Sequence, residues 1–231
     1  GALLAVDNTF LSPALQNPIE LGADLVIHST TKYINGHSDV VGGCLVAATD
    51  ELAEEIAYWA NCIGITGAPF DSFMTLRGIR TLHPRIRQHE ESASLIAELL
   101  DNHSQVERVY YPGLETHPGH DIAKRQQRGF GGMISFELAG GEDAVRTFVE
   151  QLNYFSLAES LGGVESLVCH PRSMTHAPVN DAALAEAGIR PNLIRLSIGL
   201  EASEDLAADL LSALEAAGSA TTLQSVTAAY A

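Results

Sequence analysis

Apolar residues run together through 2–6 (ALLAV) and again through 24–28 (DLVIH). Short continuous apolar runs are the signature of parallel strands buried on both faces. Between them, SPALQNPIELGA predicts a turn and a short helix closed by Gly22. The opening thirty or so residues therefore predict strand–helix–strand, an α/β unit. STTKYINGHSDVVGG at 29–43 is polar and glycine-rich and predicts a loop at the carboxyl end of the second strand, where open α/β sheets keep ligands. VVGGCLVAAT predicts a third strand. TDELAEEIAYWANC predicts a helix, with a good N-cap and with Leu52, Ile56 and Trp59 at helical spacing.

Residues 70–103 have a long helical pattern interrupted at Pro84, which either kinks one helix or starts another. The domain change is placed here, with residues 1–85 in one domain and 86–231 in a second. Beyond it the elements become short and alternate. VERVYYP, GMISFELAG, NYFSLA and LIRLSIGL predict strands; HDIAKRQQ, EDAVRTFVEQL and ASEDLAADLLSALEAAG predict helices. One-sided strands with helices between them predict a smaller α+β domain. The tail 219–231 is small and polar and is expected to fray.

Composition narrows the function classes. At 46% hydrophobic residues a core is affordable, and general disorder is excluded. No run approaches the roughly 18 apolar residues of a membrane span, and no signal-peptide pattern is present. Thirteen basic against 29 acidic residues leave a net charge of −16, which repels nucleic acid and anionic lipid surfaces. Cys44, Cys62 and Cys169 are scattered and odd in number, as in a reducing cytoplasm. Nine histidines show no convincing metal-ligand spacing. The chain starts at Gly1 inside a strand-like run, which gives the expectation that the front of a longer protein is absent.

Only two basic residues are lysines, Lys32 and Lys124. Ser29-Thr30-Thr31-Lys32 directly follows a predicted buried strand. Hydroxyls and loop amides suit a phosphate ester, and the adjacent amine suits imine chemistry with an aldehyde. The same string also suits a polar loop with a solvated lysine. Asp7 ends the first strand, so parallel neighbouring strands would bring it to the same sheet edge as Lys32. A carboxylate there can keep the ring nitrogen of pyridoxal phosphate protonated; it can equally cap the turn at Asn8-Thr9. Arg195 lies inside the apolar alternation LIRLSIGL and must be paired. A substrate carboxylate gripped in bidentate fashion would pair it, as would a salt bridge to Glu159 or Glu201. Glu159 and Ser160 precede the flexible Gly162-Gly163 pair and could line a site or a plain polar turn.

Taken together, VDNTFLSPALQNPIELGADLVIHSTTKYINGHSDVVGG resembles the cofactor-lysine signature of the Cys/Met-metabolism family of pyridoxal-phosphate enzymes. That family comprises cystathionine γ-synthases and γ-lyases, methionine γ-lyases and related sulfhydrylases. RGFGGMISFEL, LAESLGGVESL, MTHAPV and LIRLSIGLE resemble it too, so the likeness spans nearly the whole chain. WANCIGITGAPFDSFMTLRGIRTL is most similar to the bacterial γ-synthase branch.

The resemblance implies a pyridoxal 5'-phosphate-dependent transferase of fold type I. This chain would hold the C-terminal part of the doubly wound sheet domain and the smaller α+β C-terminal domain. It implies a cytoplasmic homotetramer built as a dimer of dimers. Position by position, it implies that Lys32 carries the cofactor, that Asp7 partners the ring nitrogen, and that Ser29 and Thr31 bind the phosphate. Arg195 and Ser160 would bind the substrate carboxylate, and Glu159 would attract the ammonium of a second amino acid such as cysteine. The implied reaction is γ-replacement in methionine biosynthesis: an O-acylhomoserine, with succinyl the expected acyl group, plus cysteine gives cystathionine. Cleavage of cystathionine to cysteine, 2-oxobutyrate and ammonia uses the same residues. A third expectation is a fragment without activity of its own, serving as an interaction piece. The implied N-terminal remainder would carry a phosphate-facing glycine loop and the tyrosine that stacks on the ring.

Overall fold

In the computed structural model, residues 1–219 are described with their side chains and the backbone course to Ala229. The expected fraying of the tail concerns residues that, beyond Ser219, lie outside those fully described.

The first third of the chain forms a three-stranded sheet. Strand β1 (Ala5–Asp7) leads through α1 (Ser12–Leu15) and a 3-10 turn (Pro18–Leu21) to β2 (Leu25–Ser29). Gly22 closes that turn with φ +99°, the left-handed conformation that the sequence assigns to it. β1 and β2 are parallel, with Asp7 opposite Ile27. β3 (Gly43–Ala47) returns antiparallel to β2, with His28 opposite Cys44. Between β2 and β3 the predicted loop begins as one π-helical turn, Thr30–Ile34. Helix α2 (Asp50–Ile63) is capped by Thr49, whose hydroxyl accepts from Leu52 N, and α3 (Pro69–Ile79) follows.

The expectation of strands buried on both faces is corrected. Leu3, Leu4, Ile27, Leu45 and Val46 are exposed, and α2 buries no residue among those described. The apolar run is real, but nothing among the described residues covers both sides of it. The strand expected at 2–6 also forms only from Ala5 onward.

Helix α4 (Leu82–Asp101) begins after a break at Arg80–Thr81, so Pro84 sits in its first turn and kinks nothing. The expected domain boundary at 85/86 thus falls within the start of α4. A second sheet follows. It is built from β4 (Val106–Tyr110), β5 (Met133–Leu138), β6 (Ser156–Leu157), β7 (Leu167–Cys169) and β8 (Leu193–Ser197), in the order β4-β5-β8-β7-β6. All its ladders are antiparallel except β6 with β7. One face packs on α4, α6 (Gly141–Gln151) and α8 (Ser203–Ala229), where Phe136, Phe148, Ile194, Leu196, Leu206 and Leu210 are sealed from solvent. Helices α5 (His120–Gln126) and α7 (Asp181–Glu186) lie in the connections.

Two elements depart from the sequence reading here. NYFSLA yields only the two-residue β6. β7 and α7 were not expected: three apolar residues are too few for a periodicity to register, whereas α7 does carry a local cue, since Asn180 Oδ1 accepts from Ala183 N.

Candidate active site between the two sheets

Opposite residues on antiparallel strands share a face, so Tyr110, Ser135, Arg195 and Cys169 form one row across β4, β5, β8 and β7. Arg195 therefore leaves the sheet on the side opposite Ile194 and Leu196, its fully buried strand neighbours. It faces the π-turn that carries Lys32. That is how a charged residue fits inside LIRLSIGL: alternation gives Ile194 and Leu196 to the core and Arg195 to the cleft.

Lys32 reaches across this cleft. Its Nζ donates to Ser160 Oγ at 3.0 Å, joining residues 128 apart in the chain. Arg195 closes the other side of the same loop, its Nη2 donating to the carbonyls of Glu159 at 2.7 Å and Ser160 at 3.2 Å. The salt bridge weighed for Arg195 is not what holds it. The Glu159 contact is through its main-chain carbonyl, and the Glu201 carboxylate accepts from Ser166 instead. Arg195 Nε is buried without a partner.

Two cations thus meet at one serine, and no carboxylate lies within ion-pair distance of either among the described residues. Burial, and then the charge of Arg195, push the Lys32 amine below the ordinary lysine range. A lysine so placed is more readily a neutral nucleophile and base.

The other predicted residues form a neighbouring group rather than joining this one directly. Thr9 N donates to Asp7 Oδ1 at 3.0 Å, and Ser29 N donates to Thr9 Oγ1 at 2.8 Å, so Thr9 links the ends of β1 and β2. The Thr31 hydroxyl donates to Gly42 O and accepts from Gly42 N. The contact of Asp7 with Thr9 is the cap at Asn8-Thr9 that the sequence also allows, whereas Gly42 was not singled out there. Behind Lys32, Tyr33 is fully buried, its ring edge-on to His89. The glycine loop approaches so closely that a side chain at Gly162 would meet Tyr33 N at 2.9 Å, and Gly162 N donates to Ser197 Oγ. This close approach is a reason for glycine there.

The donor set fits pyridoxal phosphate. The unneutralised Arg195 suits a substrate carboxylate, the lowered amine of Lys32 suits the cofactor's aldehyde, and Asp7 ends the neighbouring strand. A family model described as Cys/Met metabolism PLP-dependent enzyme matches residues 1–215. The chain is 54% identical over 217 residues to cystathionine gamma-synthase of Escherichia coli (strain K12), covering 94% of this chain and 56% of that protein. It is 53% identical over 215 residues to cystathionine gamma-lyase of Dictyostelium discoideum, covering 93% and 56%. It is 56% identical over 214 residues to a cystathionine beta-lyase of Lactococcus lactis subsp. cremoris (strain MG1363), covering 93% and 56%. Among solved structures, cystathionine gamma synthase from Xanthomonas oryzae pv. oryzae in complex with aminoacrylate and cysteine superposes with a TM-score of 0.93 at 64% identity, covering 95% of this chain and 57% of that one. The chain spans little more than half the length of these relatives. With the family model over most of its length and a fold type I architecture matching its structural neighbours, this chain belongs to the Cys/Met-metabolism family of pyridoxal-phosphate-dependent enzymes.

Proposed function

We propose that the protein catalyses γ-replacement: O-succinylhomoserine and cysteine give cystathionine and succinate. The observation that carries this reading is the pair of unneutralised cations, Lys32 and Arg195, meeting at Ser160. Pyridoxal phosphate, when bound, supplies the electron sink that makes the substrate Cα proton removable. Lys32 holds the cofactor and then carries protons at Cα and Cβ, a role that its lowered basicity suits. Arg195 binds the substrate α-carboxylate, with Ser160 beside it. Asp7 holds the proton of the ring nitrogen, and Ser29 and Thr31 hold the phosphate. Glu159 is exposed at the mouth of the loop and attracts the ammonium of cysteine, which favours an amino-acid thiol over a bare one.

In this reading residues 1–85 belong to the cofactor domain and 86–231 to the smaller domain. The protein works in the cytoplasm as a dimer of dimers in methionine biosynthesis. A second reading, cystathionine γ-lyase, is favoured by the 53% identity to the Dictyostelium discoideum enzyme. Rates with O-succinylhomoserine plus cysteine, measured against cystathionine alone, separate the two. Faster cystathionine cleavage would replace the first reading by the second. Borohydride trapping with pyridoxal phosphate and peptide mapping tests the shared premise: the label is expected on Lys32, and label confined to Lys124 or the N-terminus would remove it.

A further inference from the structure

Arg85 is buried, lies on α4, and has no carboxylate partner among the described residues. Its guanidinium instead donates to neutral oxygens of three segments. Nη1 reaches Tyr33 O at 2.8 Å, Nη2 reaches Ile34 O at 3.4 Å and Gly78 O at 2.9 Å, and Nε reaches Thr81 Oγ1 at 3.1 Å. Burying a guanidinium on neutral oxygens alone is costly. A neutral donor could tie any one of these oxygens; only the planar five-donor fork spans them all.

Two of the carbonyls it holds are those of the residues directly after Lys32. There the π-turn carries Lys32 itself off helical geometry, at φ −88° and ψ −132°. Two glycines make room for the arrangement. A side chain on Gly36, which has φ +70°, would lie 2.0 Å from Arg85 Nη1, and one on Gly78 would lie 2.3 Å from Asn35 O. One turn along the same face of α4, His89 Nδ1 donates to Ile198 O at 2.7 Å, just beyond the strand that carries Arg195. A single helix thus grips the backbone behind Lys32 and the backbone behind Arg195.

We propose that Arg85 is the positioning residue of the active-site lysine: its fork fixes the turn after Lys32 so that Nζ crosses the cleft to Ser160. Without it the turn relaxes toward ordinary helix or loop geometry, and the amine swings into solvent away from Arg195. The inference rests on the reading of Lys32 as the cofactor lysine. The charged group facing Lys32 from the opposing sheet is Arg195; Arg85 acts from behind, through the backbone.

The test is trace acetylation of the purified protein across pH, after any bound pyridoxal phosphate has been removed so that Lys32 is a free amine, with label at Lys32 and at exposed Lys124 read separately by peptide mass mapping. Arg85→Gln and Arg85→Lys are compared with the wild type. Wild-type Lys32 is expected to react at lower pH than an ordinary lysine. In both variants the Lys32 profile is expected to move up by about one pH unit, a loss of about tenfold in label at fixed pH below the transition. Lys124 stays unchanged as the internal reference. Arg85→Lys keeps the charge and loses the fork, so a wild-type profile in that variant overturns the proposal. A wild-type profile in a cooperatively melting Arg85→Gln does the same. If neither variant melts cooperatively, Arg85 serves the fold at large and the proposal falls. Failure of the underlying reading looks different: wild-type Lys32 then shows no capture of pyridoxal phosphate under borohydride, whatever the variants do.

Discussion

The two sheets of this protein treat similar sequences differently. In the first, Leu3, Leu4, Ile27, Leu45 and Val46 stand exposed, and α2 and α3 present Trp59, Phe70, Phe73 and Leu76 to solvent. An apolar groove of about 800 Å³ runs between this sheet and α2, lined by Leu25, Ile27, Leu45, Ile56, Trp59 and Ile63. In the second, α4, α6 and α8 close one face completely, and Phe136, Phe148, Ile194 and Leu196 are inaccessible. The lesson is that an apolar run states a capacity for burial. Whether burial occurs depends on a covering element, which the run does not encode. The candidate site sits where the two regions meet, taking Lys32 from the open one and Ser160 and Arg195 from the closed one.

The largest effect is expected at that junction. Lys32→Ala should lower turnover by about 10²–10⁴-fold or more, as removal of a positioned proton carrier does, while far-UV circular dichroism stays native. Near-normal turnover in that variant would remove Lys32 from the mechanism. Next comes the closed core. Phe136→Ala, which empties a site packed edge-on against Phe148 at 5.7 Å, should cost about 3–5 kcal/mol in denaturant unfolding. A cost below about 1 kcal/mol would mean that the two regions differ less in packing than their exposure implies.

His89 links the regions and gives a pH signature. Burial holds its imidazole below the ordinary histidine value, with the charge of Arg85 helping and the carbonyls of Ile198 and Gly199 opposing. The unfolded chain therefore binds the extra proton first as pH falls through about 6.5, so stability is lost on acidification. One such proton contributes a slope approaching about 1.4 kcal/mol per pH unit. Melting followed from pH 7 to 5 should flatten by about that share in His89→Gln. An unchanged slope would place the acid sensitivity elsewhere, His28 being the other buried histidine held low.

The open region is expected to give the smallest changes. Thr49→Ala removes the hydroxyl that caps α2 and should cost about 1 kcal/mol. Trp59→Ser, at a side chain 54% exposed, should stay within about 0.5 kcal/mol while raising solubility. A large destabilisation by Trp59→Ser would show that the open face is packed in solution, and the contrast between the sheets would then dissolve.

Much of the first region was legible because its signals are local. The Thr49 cap, the Gly22 closure and the parallel pairing of β1 with β2 each follow from residues adjacent in sequence or from one short connection. Of the candidate site, the sequence reading named Lys32, Ser160 and Arg195, which the structure brings together; Asp7, Ser29 and Thr31, from the same stretch as Lys32, fall in a neighbouring group. Arg85 was not legible. It lies 52 residues from Tyr33, it acts on the lysine turn through backbone oxygens, and no side-chain pattern marks an acceptor carbonyl. β7 escaped for a related reason: three residues have no period, and the pairing that makes them a strand comes from β8.

By itself the sequence determined where helices and strands can start and stop, because capping, glycine conformation and side-chain periodicity act within a turn or two. It pointed to the kind of chemistry through the length of the family resemblance, since a lysine among hydroxyls after a strand equally suits a solvated loop. The tertiary structure decided which faces are buried, which carbonyls Arg85 holds, and that Lys32 meets Ser160 across 128 residues. Those outcomes depend on how closed elements pack against one another, and packing is a property of the assembled molecule that no local stretch of chain carries.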